Sequence, residues 1–180
     1  MNRSQLEHIV RACGAITRDN EFVVVGSQSI LGKHADAPEQ LLRSMELDVF
    51  PKNQMEDSLL IDGAIGEGSL FHQTFGYYAH GVGAETAVLP EGWQQRLISV
   101  SNANTQGAIG WCLDPRDLAV SKLAAGRPND YEFVNALFAH SLVTHNEVTA
   151  LLEKTPLTLE QRGSIVAFLE AVRTGGGCLP

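Results

Sequence analysis

Glu46 and Asp48 stand two residues apart in Arg43-Ser44-Met45-Glu46-Leu47-Asp48-Val49-Phe50, a stretch that alternates polar and apolar. Successive side chains of a strand point to opposite faces, so Met45, Leu47 and Val49 share one face and the two carboxylates share the other. At a rise of about 3.3 Å per residue the acids lie about 7 Å apart at the backbone, a spacing that suits a pair of oxygen ligands for a hard divalent cation such as Mg²⁺. Upstream, Gly26-Ser27 closes the apolar run Phe22–Val25 and leads into a short piece holding Ile30 and Leu31. Such a strand-to-helix turn offers free backbone N–H groups and a hydroxyl to a phosphate. A half-exposed strand with a solvated acidic face accounts for the acid pair taken alone. A phosphate cradle followed by a two-carboxylate strand is what phosphoryl or nucleotidyl transfer needs.

In this order and spacing, the Gly-Ser turn and the Arg-x-x-acid-x-acid strand resemble the signature of the nucleotidyltransferase superfamily. Within it, the chain is most similar to the minimal bacterial branch that includes toxins of abortive-infection-type toxin–antitoxin pairs. Asp114-Pro115-Arg116-Asp117-Leu118 to Lys122, followed by Arg127 and Asp130, resembles that branch's Lys-bearing helix and Arg-x-x-Asp. Leu89-Pro90-Glu91-Gly92-Trp93-Gln94-Gln95-Arg96-Leu97 resembles its Leu-Pro-x-Gly-Trp-x-x-Arg-Leu turn. The matched stretches run from about Val23 to about Leu137.

Strand, helix and strand with the acids on the second strand, then a hairpin and terminal helices, give an α+β fold, a mixed β-sheet flanked by helices with a C-terminal helical segment. The resemblance implies that Gly26, Ser27, Arg43 and Lys122 hold a nucleoside triphosphate and that Glu46 and Asp48 hold Mg²⁺. The acceptor would be a hydroxyl on RNA or on a protein, and the partners a cognate antitoxin or a second copy of the chain. One departure stands out. Where the superfamily usually places a third carboxylate on a later strand, this chain has His80, and the nearest acid, Glu85, lies beyond Gly81 and Gly83. With a side-chain pKa near neutrality His80 could act as a base, or it could be structural. The alternative to an active transferase is therefore a catalytically impaired relative that binds nucleotide or protein.

The elements that must position these residues are readable in outline. Ser4, with Glu7 three residues on, forms a capping box for a helix to about Thr17 with Leu6, Ile9, Val10 and Cys13 on one stripe. Pro51 should end the acid-bearing strand, since it cannot donate to a ladder. Asn53 or Asp57 caps a helix holding Met55, Leu59, Leu60, Ile61 and Ile65, stopped by Gly66 and Gly68. Ser69–Thr74 reads as a linker and Phe75–Val82 as a third strand. Trp93 and its neighbours read as a packed corner, with Arg96 a second candidate for phosphate. Arg96–Val100 and Ala108–Leu113 then form a hairpin around Asn102–Gly107.

Asp114 and Pro115 start a helix that Gly126 closes. Lys122 within it has no acid at i+4, so it either reaches solvent or points at a triphosphate, while Arg127 and Asp130 can pair with each other. From Tyr131 to Arg173 the chain reads helical, with Asn146 and Thr158 as caps, and Gly175–Pro180 as a loose tail. The expected organisation is a core over residues 1–130 and a helical cover over 131–175, packed as one domain.

Composition bounds the rest. The chain has 180 residues, 44% of them hydrophobic, enough for one ordinary core. No apolar run approaches the roughly 20 residues of a membrane span, and the first ten residues do not read as a secretory leader, so a cytoplasmic location is expected. A net charge of −8 argues against a general nucleic-acid coat protein. The three cysteines are widely spaced, with Cys13 and Cys112 expected as buried thiols and Cys178 as an exposed one.

Overall fold

The structure is a computed structural model that describes residues 1–174. Five strands form one mixed sheet: β1 (Glu21–Val24), β2 (Glu46–Pro51), β3 (Tyr78–Gly81), β4 (Ile98–Val100) and β5 (Ile109–Cys112). Their spatial order is β3-β2-β1-β5-β4. The β1–β2 and β4–β5 pairs are antiparallel; β1–β5 and β2–β3 are parallel. The helices are α1 (Arg3–Ile16), α2 (Ser58–Ile65), α3 (Leu70–Phe75), α4 (Pro115–Ala125), α5 (Pro128–Ala139), α6 (His145–Leu152) and α7 (Leu159–Arg173). The α+β architecture is the one expected. Cys178 and the glycine-rich tail lie outside the described residues.

The apolar face of β2 is where the sheet meets its helices. Leu47 and Val49 are fully buried, and so is Ala79 on β3. The α2 backbone lies so close to β3 that a Cβ on Gly81 would run into the Ser58 carbonyl. Removing this much aliphatic surface from water is what holds the layers together, at about 25 cal/mol per Å². With α2 on the apolar face, the opposite face of β2 and β3 carries Glu46, Asp48, Tyr78 and His80. The second group of helices is assembled on α4, which packs against α5, α6, α7 and the 3₁₀ turn Ser27–Gly32. Ile30 and Leu31 of that turn are fully buried.

Several local expectations are corrected, each for a local reason. Helix α1 is capped by Asn2 and Gln5, which exchange reciprocal backbone bonds; Glu7 instead accepts from Asn102 and Asn104 at 2.8 Å each. Pro51 is the last residue of β2, as expected; it faces Phe22, and the bond beside that pair runs from the Lys52 N–H to the Glu21 carbonyl, so the missing N–H is not needed there.

The Ser69–Thr74 linker is helix α3, capped by the Ser69 hydroxyl on the His72 N–H and ended by left-handed Gly76. Strand β3 is accordingly shorter than expected. Asp57 occupies the cap position of α2 without capping it, because its carboxylate binds Arg18. Helix α6 is capped by Thr144 with Glu147, not by Asn146. The Thr158–Gln161 box and the Asp114-Pro115 start stand as expected, as do the hairpin and the buried thiols Cys13 and Cys112.

Candidate active site

Parallel pairing of β2 with β3 sets Glu46 beside Tyr78 and Asp48 beside His80 in register. Residues in register project to the same side of a sheet, so these four side chains share one face. The Tyr78 hydroxyl donates to Glu46 Oε2 at 2.8 Å. His80 Nδ1 lies 3.2 Å from Glu46 Oε1 and 3.2 Å from Asp48 Oδ1. Ligand atoms from Glu46, Asp48 and His80 all fall within 4.8 Å of one another. The expected carboxylate pair is brought together, and His80 joins it. Glu85 is exposed in the turn Ala84–Thr86 and is not part of the cluster.

The electrostatics of the cluster favour a cation. Burial, with Glu46 beside it, pushes the Asp48 carboxyl up to about 6, against the pull of His80. Burial works the same way on Glu46, but the Tyr78 hydroxyl, Asp48 and His80 outweigh it and hold that carboxyl below the usual range. Burial disfavours a charged His80, yet Asp48 and Glu46 more than offset this and raise it. Two carboxylates this close resist joint ionisation, and a divalent cation between them relieves the repulsion.

Gly26 joins this cluster to the preceding turn. Its backbone, at φ 65° and ψ −177°, lies in a region open essentially to glycine alone. A Cβ there would also overlap the Asp48 carboxylate. The turn thus passes directly against the second acid, and Ser27 follows into a cleft of about 340 Å³. That cleft is lined by Ser27, Arg43 and Lys122, three of the residues expected to hold a triphosphate, together with Gln40, Asn129 and Phe133.

Lys122 is not free there. Its Nζ donates to Asp130 Oδ1 at 2.8 Å and stands 5.6 Å from the centre of the Phe133 ring. The acid partner absent at i+4 comes from α5 instead, across the Gly126 corner, so Asp130 pairs with Lys122 and not with the Arg127 guanidinium. Arg96, the other phosphate candidate, is withdrawn from the site. It grips Asp117 through Nε and Nη2 at 2.9 and 2.7 Å, and Asp117 is fully buried.

Sequence reasoning missed Tyr78, Gln40, Asn129 and Phe133. The signal for Tyr78 was present, since it lies two residues before His80 on an alternating strand. The other three reach the cleft from α5 and from the turn Glu39–Leu41, whose approach no local pattern encodes.

A mixed sheet with two carboxylates on one strand, backed by a glycine turn and opening into a polar cleft where Arg43 and Lys122 stand with Asp130 and Glu132, is the arrangement of a nucleotidyltransferase-like protein. A family model described as nucleotidyltransferase of unknown function (DUF6036) matches residues 4–166, and the chain belongs to that family. No curated protein and no solved structure matches the chain.

Proposed function

We propose that this protein is a divalent-metal-dependent nucleotidyltransferase that moves a nucleotide from a nucleoside triphosphate to a hydroxyl on RNA or protein. The observation that carries the reading is the continuity of one surface. The Glu46–Asp48–His80 cluster, with its ligand atoms within 4.8 Å, adjoins the Gly26-Ser27 turn, and Ser27 opens into the cleft that Arg43 and Lys122 line. The residues fit a divalent cation: three donor groups converge, two of them anionic, and Tyr78 orients one. A bound cation, Mg²⁺ on the resemblance, would neutralise charge on the transferred phosphoryl group.

The chain's own groups do the rest. Ser27 and Arg43 orient the triphosphate oxygens, and Lys122, released from Asp130, stabilises the departing pyrophosphate. Phe133 supplies an apolar wall against which a base can stack. Resemblance alone supports placing the protein as the toxin of a toxin–antitoxin pair. An antitoxin or a second copy of the chain would find apolar contact on α2, where Leu59 is 80% exposed.

The test is calorimetric titration of each of the four nucleoside triphosphates with and without divalent cation. Metal-dependent binding, with turnover abolished in Asp48→Asn and an unchanged unfolding midpoint, is the expected result; unaltered turnover overturns the assignment. One observation favours a second reading, a nucleotide- or protein-binding module without chemistry: the cluster holds two carboxylates where the resemblance leads one to expect three. Metal-dependent binding with no transfer of labelled α-phosphate to any RNA or protein acceptor would establish that reading in place of the first.

A further inference from the structure

We infer that the Glu46–Asp48–His80 cluster is built for a divalent first-row transition metal, Mn²⁺ foremost, ligated through His80 Nδ1 in preference to Mg²⁺. The inference rests on the proposed metal dependence and refines which ion the site takes. Its first support is how each donor is aimed. Glu46 has one oxygen, Oε2, occupied by the Tyr78 hydroxyl at 2.8 Å, and presents the other, Oε1, towards His80. Asp48 has Oδ2 against the Gly26 backbone and presents Oδ1 towards the same ring nitrogen. Glu46 thus has one oxygen hydrogen-bonded and Asp48 has one packed beside Gly26, and the remaining oxygen of each meets Nδ1 at 3.2 Å.

The second support is rigidity. His80 is carried by a strand in register with Asp48, so the sheet ladder, and not a loop, sets its approach. Tyr78 on the same strand holds Glu46 as an outer-shell partner holds a ligand.

The third is donor chemistry. Mg²⁺ binds oxygen, keeps its waters and dehydrates reluctantly. Imidazole nitrogen suits first-row transition ions, and mixed carboxylate–imidazole sets hold them. Mn²⁺ meets both demands, since it accepts imidazole and also takes the oxygen ligands that a triphosphate provides. A histidine merely hydrogen-bonded to two acids would have the same distances, and metal binding separates the two cases.

The experiment uses the full chain, stripped of metal and free of nucleotide. Free Mn²⁺ is followed by electron paramagnetic resonance during titration, Mg²⁺ is added in competition, and pulsed resonance reads nitrogen coupling to bound Mn²⁺. The expected result is a nitrogen coupling in the wild type, displacement of Mn²⁺ only by a large excess of Mg²⁺, and loss of the coupling in His80→Ala. Losing an inner ligand should lower Mn²⁺ affinity by more than the roughly 10–100-fold typical of an outer-shell partner. Mg²⁺ affinity should hardly change, and His80→Asp should shift the preference towards Mg²⁺. Bound Mn²⁺ without nitrogen coupling, or equal affinities for the two ions, overturns the inference and leaves the proposed transferase standing. Failure to bind either ion, with or without nucleoside triphosphate, overturns both. The wild-type coupling reads ligation directly, so the result does not depend on any variant folding.

Discussion

Arg96 and Asp117 show how a single pair can change its meaning between sequence and structure. A lone arginine in a Pro-Gly-Trp turn is a fair phosphate ligand, but here its fork is spent on a carboxylate with no solvent exposure. Burial raises the Asp117 carboxyl, and Arg96 opposes that rise. Removing one partner of such a pair strands the other, at a cost of about 3–5 kcal/mol. Arg96→Met should therefore lower the unfolding free energy from denaturant titration by that amount while nucleotide affinity of the folded protein stays unchanged. Weakened affinity with intact stability would return Arg96 to the phosphate site. The same logic separates readable residues from unreadable ones. Glu46 and Asp48 advertise themselves by spacing, whereas the Lys122 partner sits in the next helix and no interval in the chain announces it.

At the scale of elements, Asp19 ties two connections together. Its carboxylate accepts the backbone N–H groups of Glu21 and Gln54, and both the backbone and side-chain N–H of Asn53. This fixes the α1–β1 turn to the chain leaving β2, and so sets the register in which β2 presents its acids. Burial works to raise the Asp19 carboxyl, but these four bonds outweigh it and hold it below the usual range. A depressed folded-state pKa means stability that is complete above the unfolded value near 3.9 and lost as pH falls through the folded value. Unfolding free energies measured by denaturant titration from pH 7 down to pH 3 should drop for the wild type. Asp19→Asn should begin about 2 kcal/mol lower, the worth of a hydrogen bond to a charged group, and decline less steeply. Parallel curves for the two proteins would remove Asp19 from this role. The Ser69 cap and the Gly76 stop that define α3 enclose only six residues, too short a span for helical periodicity to distinguish from a linker.

For the whole molecule, one buried apolar cluster runs from Leu6 in α1 through the sheet to Leu169 in α7. Helix α7 docks on α4 and sends the Gln161 side chain to the Ala124 carbonyl at 2.9 Å. A continuous core of this kind predicts a single cooperative unit, in which helices α5, α6 and α7 unfold together with the sheet. Thermal unfolding followed by fluorescence of Trp93 and Trp111, and separately by far-ultraviolet circular dichroism, should give coincident transitions. Distinct midpoints would divide the chain near residue 130. Among the described residues, no helix is long and apolar enough to cross a membrane.

The α+β class, the strand that carries Glu46 and Asp48, the glycine turn before it and the helix that carries Lys122 are all written in the order of residues. These are legible because strand alternation, helical periodicity and capping are local consequences of backbone geometry. That His80 joins the acid pair, that Tyr78 bonds one of its members, and that Arg43, Lys122 and Phe133 share a cleft comes from the folded arrangement. Those facts depend on which strands pair and in which register. Pairing is settled by burial of the whole apolar surface at once, and no single stretch of the chain contains it.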